Sequence, residues 1–270
     1  MGRMETGQSR QVLSFAPLTE GVLLRRYKRF LADVRLADGT EVTAHCPNTG
    51  PMTSVCQVGA PVRIRHDPAP RRKLAWTWEQ IQVRGDGGQP EWVGINTALP
   101  NRLLEQAIRQ GRLDLQLGAY ATIRREVAYG RQKKSRIDLL LDGGERPVYV
   151  EIKNTTWSEG PVALFPDTVT TRGRKHLQDL MDALPTARAV LLLCVSRSDC
   201  HSFAPGDRAD PRYGELFRMA RTAGVEMYAP RFAHRPDGVD WCGLATVLDR
   251  QPDPPGPRKQ GCAATMGSPW

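Results

Sequence analysis

Apolar and polar residues alternate in short runs through the first third of the chain. Val22-Leu23-Leu24, Leu31-Ala32-Asp33-Val34-Arg35-Leu36 and Val62-Arg63-Ile64-Arg65 are separated by turn-forming stretches at Asp38-Gly39, Asn48-Thr49-Gly50-Pro51 and Gly85-Asp86-Gly87-Gly88. Runs of this kind, bounded by Gly, Asn, Asp and Pro, read as strands with one buried face. From Val22 to Val93 the pattern predicts a small barrel or sandwich. A five-stranded barrel of the oligonucleotide-binding type fits the length. Residues 1–12 read as a polar, disordered lead-in.

The period changes near Leu99. Leu103, Leu104, Ala107 and Ile108 recur at helical spacing, with Pro100 in the first turn and Gly111 beyond the end. Strand-like runs follow at Ile123–Tyr129, Arg136–Leu141 and Val148–Ile152. Residues 171–184 predict a helix with Leu177, Leu180, Met181 and Leu184 on one side. Ala187–Val195 is a continuous apolar run, the mark of a central strand buried on both faces. A helix over Tyr213–Ala223 and a strand over Val225–Tyr228 complete the series. The order α-β-β-β-α-β-α-β predicts a mixed sheet flanked by helices. The expected architecture therefore combines α+β and α/β features. An OB-like barrel spans 12–92, a mixed-sheet domain spans 93–248, and a proline-rich tail at 249–270 is disordered.

Two strand runs carry the candidate chemistry. In Val148-Tyr149-Val150-Glu151-Ile152-Lys153, alternation puts Glu151 and Lys153 on one face with Tyr149, and the valines and Ile152 on the other. Asp138 lies on the preceding run, joined through the turn-rich Asp142-Gly143-Gly144-Glu145-Arg146-Pro147. If the two runs pair, Asp138 meets Glu151. Two carboxylates suffice for Mg²⁺ or Mn²⁺, which keep several waters, and the Ile152 carbonyl could add a third ligand. Such an ion acidifies a bound water and neutralises a phosphate, and Lys153 would position that water or the developing charge. Glu126, one run earlier, is a further candidate ligand. A lone Glu-x-Lys on a strand is most often a pair of exposed charges; Asp138 in this topology favours the metal site.

Net charge is the second observation. The chain carries +9 over 270 residues, which suits a polyanionic partner. Arg25, Arg26, Tyr27, Lys28, Arg29 and Phe30 mix cations with aromatics, as single-strand binders do. Trp76 and Trp78 share a strand face and are read either as stacking platforms or as barrel core. Arg124, Arg125, Arg131, Lys133, Lys134 and Arg136 flank the hairpin that leads to Asp138, with Glu126 among them, and could guide a phosphate backbone. Arg172 and Lys175 start the helix after Lys153 and could touch the scissile phosphate, aided by the helix N-terminus. His176 is read as a surface residue paired with Asp179. His45-Cys46-Pro47-Asn48-Thr49-Gly50 is read as a structured turn rather than a zinc site, because Cys46 and Cys56 lack zinc spacing. Six scattered cysteines read as reduced thiols of a cytoplasmic protein, and no apolar stretch approaches the ~20 residues that span a bilayer.

Asp138 followed by Glu151-Ile152-Lys153 resembles the PD-(D/E)xK nuclease superfamily, with Ile137 standing where proline often precedes the aspartate. The wider match is more specific. Tyr27–Val34, His45-Cys46-Pro47-Asn48-Thr49-Gly50-Pro51-Met52, Asn96-Thr97 with Asn101-Arg102, and Ser135-Arg136-Ile137-Asp138 resemble the sugar fermentation stimulation protein A family. Tyr149–Asn154, Phe165-Pro166-Asp167, Thr171-Arg172-Gly173, Lys175-His176-Leu177 and Asp210-Pro211 with Tyr213 extend that likeness over residues 12–232. The resemblance implies a prokaryotic protein with an OB-type barrel and a nuclease-like domain. It also implies non-specific DNA binding and a role proposed in maltose metabolism. Two functions stay open: a metal-dependent nuclease acting on DNA or RNA, and a DNA-binding regulator on a nuclease scaffold without turnover.

Overall fold

The computed structural model describes residues 9–68, 73–129 and 135–253. Within them the chain forms β1 (Gln11–Ser14), β2 (Thr19–Tyr27), β3 (Leu31–Leu36), β4 (Glu41–His45), β5 (Pro61–His66), β6 (Trp76–Arg84) and β7 (Pro90–Gly94). β2 pairs with β3 and β5, β3 with β4, and β5 with β6. β4 closes on β6 in parallel at Ala44–Trp76 and His45–Thr77. These pairings join β2 to β6 into a closed barrel, and β7 extends it from the far half of β6. Closure removes the free edges that an open sheet of this size would expose. Leu23, Val34, Val62, Ile64, Trp78 and Ile81 fill the interior. Trp78 is fully buried and its indole N–H donates to the Gln80 carbonyl at 2.9 Å, so it is core. Trp76 is half-buried with its ring against His66.

The second unit comprises α1 (Leu99–Arg109), α2 (Asp114–Leu117), β8 (Thr122–Tyr129), β9 (Ser135–Asp142), β10 (Val148–Thr155), β11 (Trp157–Glu159), β12 (Val162–Phe165) and α3 (Thr171–Ala183). It continues through β13 (Arg188–Val195), β14 (Ser202–Pro205), α4 (Pro211–Ala223), β15 (Glu226–Arg235) and β16 (Gly238–Val247). Its sheet runs β11-β12-β14-β16-β15-β13-β10-β9-β8. β8, β9 and β10 are antiparallel, and β10, β13 and β15 are parallel, which is the mixed sheet the pattern predicts. Along β13 the buried side chains alternate without a gap. Ala189, Leu191, Leu193 and Val195 meet α3 and α4, while Val190, Leu192 and Cys194 meet α1. Both helices on the first face start on side-chain caps. Thr170 accepts from Gly173 N–H at 3.0 Å and Asp210 from Tyr213 N–H at 2.9 Å.

Three expectations shift. β1 lies in the large sheet, paired antiparallel with β16, so the chain around residue 12 belongs to the second unit and is not lead-in. Val12 and Leu13 are the cause: they bury against α1. β11, β12 and β14 span three or four residues each, too short to show a period in sequence. Asp249 and Gln251, expected in a disordered tail, bond Arg221 at 2.7 Å and Asp207 at 3.0 Å; residues 254–270 lie outside the described residues.

The two units meet along a polar seam. Gly94 N–H donates to the Ser196 carbonyl at 2.9 Å, Ser198 Oγ to Glu91, and Thr97 Oγ1 to the Pro47 carbonyl at 2.9 Å. At Gly94 an added Cβ would stand 2.1 Å from the His234 ring, so only glycine admits this approach.

Candidate active site

β9 and β10 pair as far as Leu139–Val150 and then diverge. The next residues on the two strands are Asp138 and Glu151. Divergence frees the Ile152 N–H from a strand partner, and Asp138 Oδ2 takes it at 2.7 Å. Asp138 Oδ1 accepts from Asn101 Nδ2 at 2.9 Å, so α1 also reaches the site. The expected meeting of Asp138 with the Glu-x-Lys strand thus follows from register.

Glu151 is only 2% exposed. It faces α3, as alternation along β10 requires: Val148, Val150 and Ile152 pack on the α1 side. Glu151 Oε1 receives Lys153 Nζ at 2.6 Å and also contacts His176 Nδ1. Arg172 Nε donates to His176 Nε2 at 3.3 Å, and His176 Nδ1 faces Glu151 with Lys153 Nζ 3.1 Å away. Glu151 Oε2 is buried without a hydrogen-bond partner, and so is the hydroxyl of Tyr129 on β8.

The two acids are held in opposite directions. Burial raises the Asp138 carboxyl above its ordinary range, and the charge of Glu151 adds to that; the Ile152 and Asn101 bonds oppose it. Burial also opposes ionisation of Glu151, but the His176 bond and the Lys153 charge outweigh it and leave its carboxyl below the ordinary range. Tyr129 is pushed upward by burial, then by Glu151, Asp179 and Asp138. Negative charge is therefore concentrated in a nearly dry place. Among the described residues no three His, Cys, Asp or Glu side chains form a ready metal cage. A lysine ammonium and an imidazole stand against Glu151 instead, and an amide and a backbone N–H against Asp138.

The remaining sequence candidates divide. His176 is not a surface residue paired with Asp179. The i,i+4 contacts prevail over the i,i+3 ones, so His176 pairs with Arg172 and turns inward, while Lys175 bonds Asp179 at 2.6 Å and touches Ser135. Arg172 stays exposed above the imidazole. Glu126 would oppose Asp138 in the β8–β9 register, but it is exposed with φ at +51° and stands apart from the buried pair. Arg124 pairs with Asp142 at 3.1 Å and Arg136 is exposed on β9. Lys133 and Lys134 lie outside the described residues. In the barrel, Arg26 donates to the carbonyls of Arg29, Asn48 and Gly50 at 2.8–2.9 Å, and Arg29 to that of Thr49 at 2.9 Å. Arg25 pairs with Asp33 at 2.6 Å and lies over the Tyr27 ring, 4.7 Å from its centre. Lys28 is exposed in the same turn. Asn101 and Tyr129 were missed as site residues: an asparagine in a first helical turn and a strand tyrosine carry no signal of their own.

The His45–Gly50 segment is the structured turn expected of it. Asn48 Oδ1 accepts from Gly50 N–H at 2.9 Å, and the buried Cys46 thiol donates to the Asn48 carbonyl at 3.2 Å. Cys46, Cys56, Cys194, Cys200 and Cys242 are free thiols. No helix among the described residues is long and apolar enough to cross a membrane.

Comparison with known proteins agrees with this architecture. Residues 24–95 match the SfsA N-terminal OB domain, and residues 98–238 match the sugar fermentation stimulation protein RE domain. A sugar fermentation stimulation protein homolog from a Synechococcus strain is 63% identical over 89% of this chain and 96% of its own. One from Parasynechococcus marenigrum is 61% identical over 86% and 94%. Among solved structures, SfsA of Pyrococcus furiosus in complex with Ca²⁺ superposes with a TM-score of 0.77 at 24% identity, covering 88% of this chain and 99% of that one. Barrel, mixed sheet and both family matches converge: the chain belongs to the sugar fermentation stimulation protein family.

Proposed function

We propose that the protein hydrolyses phosphodiester bonds of DNA, with RNA as the alternative substrate, at a divalent-cation site made by Asp138 and Glu151. One observation carries the reading: Glu151 Oε2 is buried and unpartnered beside a second carboxylate whose ionisation burial already opposes. A buried carboxylate oxygen without a hydrogen bond is costly, and a cation between the acids would offset both. Oxygen donors suit Mg²⁺ or Mn²⁺. The Pyrococcus furiosus protein of this fold is described in complex with Ca²⁺, another ion that prefers oxygen. Asp138 and Glu151 would hold the ion, and Glu126, exposed and apart from them, would not. The ion would supply Lewis acidity toward the phosphate and acidify a water.

The chain's own groups do the positioning. Asn101 and the Ile152 N–H orient Asp138, and Arg172 through His176 orients Glu151. Groups held this way need no reorganisation as charge develops. Lys153, on the same strand face as Glu151, donates to a phosphate oxygen as that charge grows. Tyr27, Arg25, Lys28, Arg29, Arg124, Lys133, Lys134, Arg136 and Arg172 supply cations and one ring for a nucleic-acid backbone. Arg26 and Lys175 serve the scaffold.

Labelled DNA and RNA, incubated with Mn²⁺, Mg²⁺ or EDTA, test the reading directly. Cutting that needs a cation and is lost in both Asp138→Ala and Lys153→Ala supports it. Salt-sensitive binding without cutting under either metal overturns it in favour of a binding protein.

A further inference from the structure

A cavity of about 280 Å³ opens at Ile152 and Lys153, the residues that follow Glu151, at the seam between the units. That is near the lower end for small-ligand pockets, about 300 Å³. Asn48 of the barrel turn and Thr97 of the interdomain link form one side; Lys153 and Asn154 of β10 form the other. Trp157, Leu164 and Phe165 add aromatic and aliphatic surface, and Asp167 sits among them. Lys153 belongs to both places, since its ammonium rests on Glu151 while the residue also lines the cavity.

The polar atoms here are half used. Asn48 Oδ1 accepts from Gly50, Asn154 Oδ1 from the Ser196 hydroxyl at 2.6 Å, and Asp167 Oδ2 from Thr53 N–H at 3.3 Å. Each acceptor is tied to the scaffold, which fixes the side chain. The amide N–H groups of Asn48 and Asn154 and the second oxygen of Asp167 have no partner among the described residues. Two side-chain amides and a carboxylate oxygen thus line a cavity whose remaining wall is aromatic and aliphatic. A phosphate is a poor occupant because Asp167 would repel it. A nucleobase fits: its faces stack on aromatic and aliphatic surface, and its edge offers donors and acceptors together.

We infer that this cavity takes one unstacked base of the strand whose phosphate is cut. Because Lys153 is common to cavity and carboxylates, the captured base belongs to a nucleotide adjoining the reacting phosphate. A base stacked in a duplex cannot enter. The substrate class is therefore single-stranded or locally unpaired nucleic acid. This deepens the nuclease reading and rests on it.

The test is an abasic scan. The full-length protein is titrated, with Ca²⁺ present, against single strands that each carry one tetrahydrofuran abasic residue at a different position. Loss of one stacked, hydrogen-bonded base should weaken binding about tenfold at a single register. Asn154→Ala and Thr97→Trp, the second plugging the cavity from an exposed position, should both flatten that profile. Thermal melting and Mn²⁺ titration of each variant check that the fold and the acidic pair remain. A flat profile in the wild type, or a profile unchanged in both folded variants, overturns the inference while strands are still cut with Mn²⁺, leaving the nuclease reading intact. Wild-type protein that neither binds nor cuts any strand removes both.

Discussion

Two charged regions look alike in sequence and differ in the folded chain. Arg25–Arg29 in the barrel is a dense run of cations, yet most of its capacity is spent internally. Arg26 binds three carbonyls, Arg29 one, and Arg25 an aspartate. The Asp138–Glu151–Lys153–His176 group is sparser and assembled from β9, β10 and α3. It keeps a buried carboxylate oxygen and a buried tyrosine hydroxyl without partners. In the barrel run Arg26 Nε is also buried without a partner, but its guanidinium makes three carbonyl bonds and holds a turn together. A buried carboxylate oxygen left unpaired differs in kind: it is uncommon in native proteins and suits a cation.

Glu151→Gln should break this contrast if it is mistaken, and carries the largest expected effect. Loss of a group that stabilises developing charge lowers the rate on the order of 10³-fold. Initial rates of DNA cutting with Mn²⁺ measure it, and full activity would mean that the unpaired oxygen has no catalytic part.

His234 sharpens the comparison, because both its ring nitrogens are also buried and unpartnered, at the seam against Gly94. Burial, reinforced by the Arg63 charge, lowers its pKa from 6.5 to about 4. The unfolded chain therefore takes up the proton first. Stability from this group is complete above pH 6.5 and drains away as the pH falls toward about 4, by about 3 kcal/mol at most. Urea unfolding at several pH values should show this slope in the wild type. It should be largely absent in His234→Leu, whose side chain does not titrate.

Arg26→Ala comes next. It removes three carbonyl contacts at the base of the Asn48 turn and should cost about 2 kcal/mol in denaturant unfolding, given about 1 kcal/mol or less per bond after solvation is counted. Cation binding at the acidic pair should be untouched. Arg25→Ala should change least. Its unfolding midpoint stays where it was, and nucleic-acid affinity at low salt falls slightly with the salt slope reduced by about one. A large loss of affinity would return the barrel run to the centre of the interface.

The fold was legible where periods were long. The apolar run at 187–195, the helices on either side of it and the Asp138 and Glu151 strands emerge close to their expected bounds, because each buries a continuous face. Strands of three or four residues did not, and β1 was misassigned because its partner, β16, follows more than 200 residues later. In the site, the face shared by Glu151 and Lys153 was readable from alternation alone. His176 was not: helical spacing allowed two pairings, and only packing against β10 selects the inward one.

By itself the amino-acid order determined which residues share a strand face, where helices begin, and that two acids and a lysine fall on consecutive strands. These are local consequences of backbone periodicity. The three-dimensional structure decided the rest: that Asp138 takes the freed Ile152 N–H, that Arg26 is consumed by carbonyls, and that a cavity forms between barrel and sheet. Such outcomes depend on which distant groups share a desolvated space, because hydrogen bonding and charge act over a few ångströms of distance rather than along the chain.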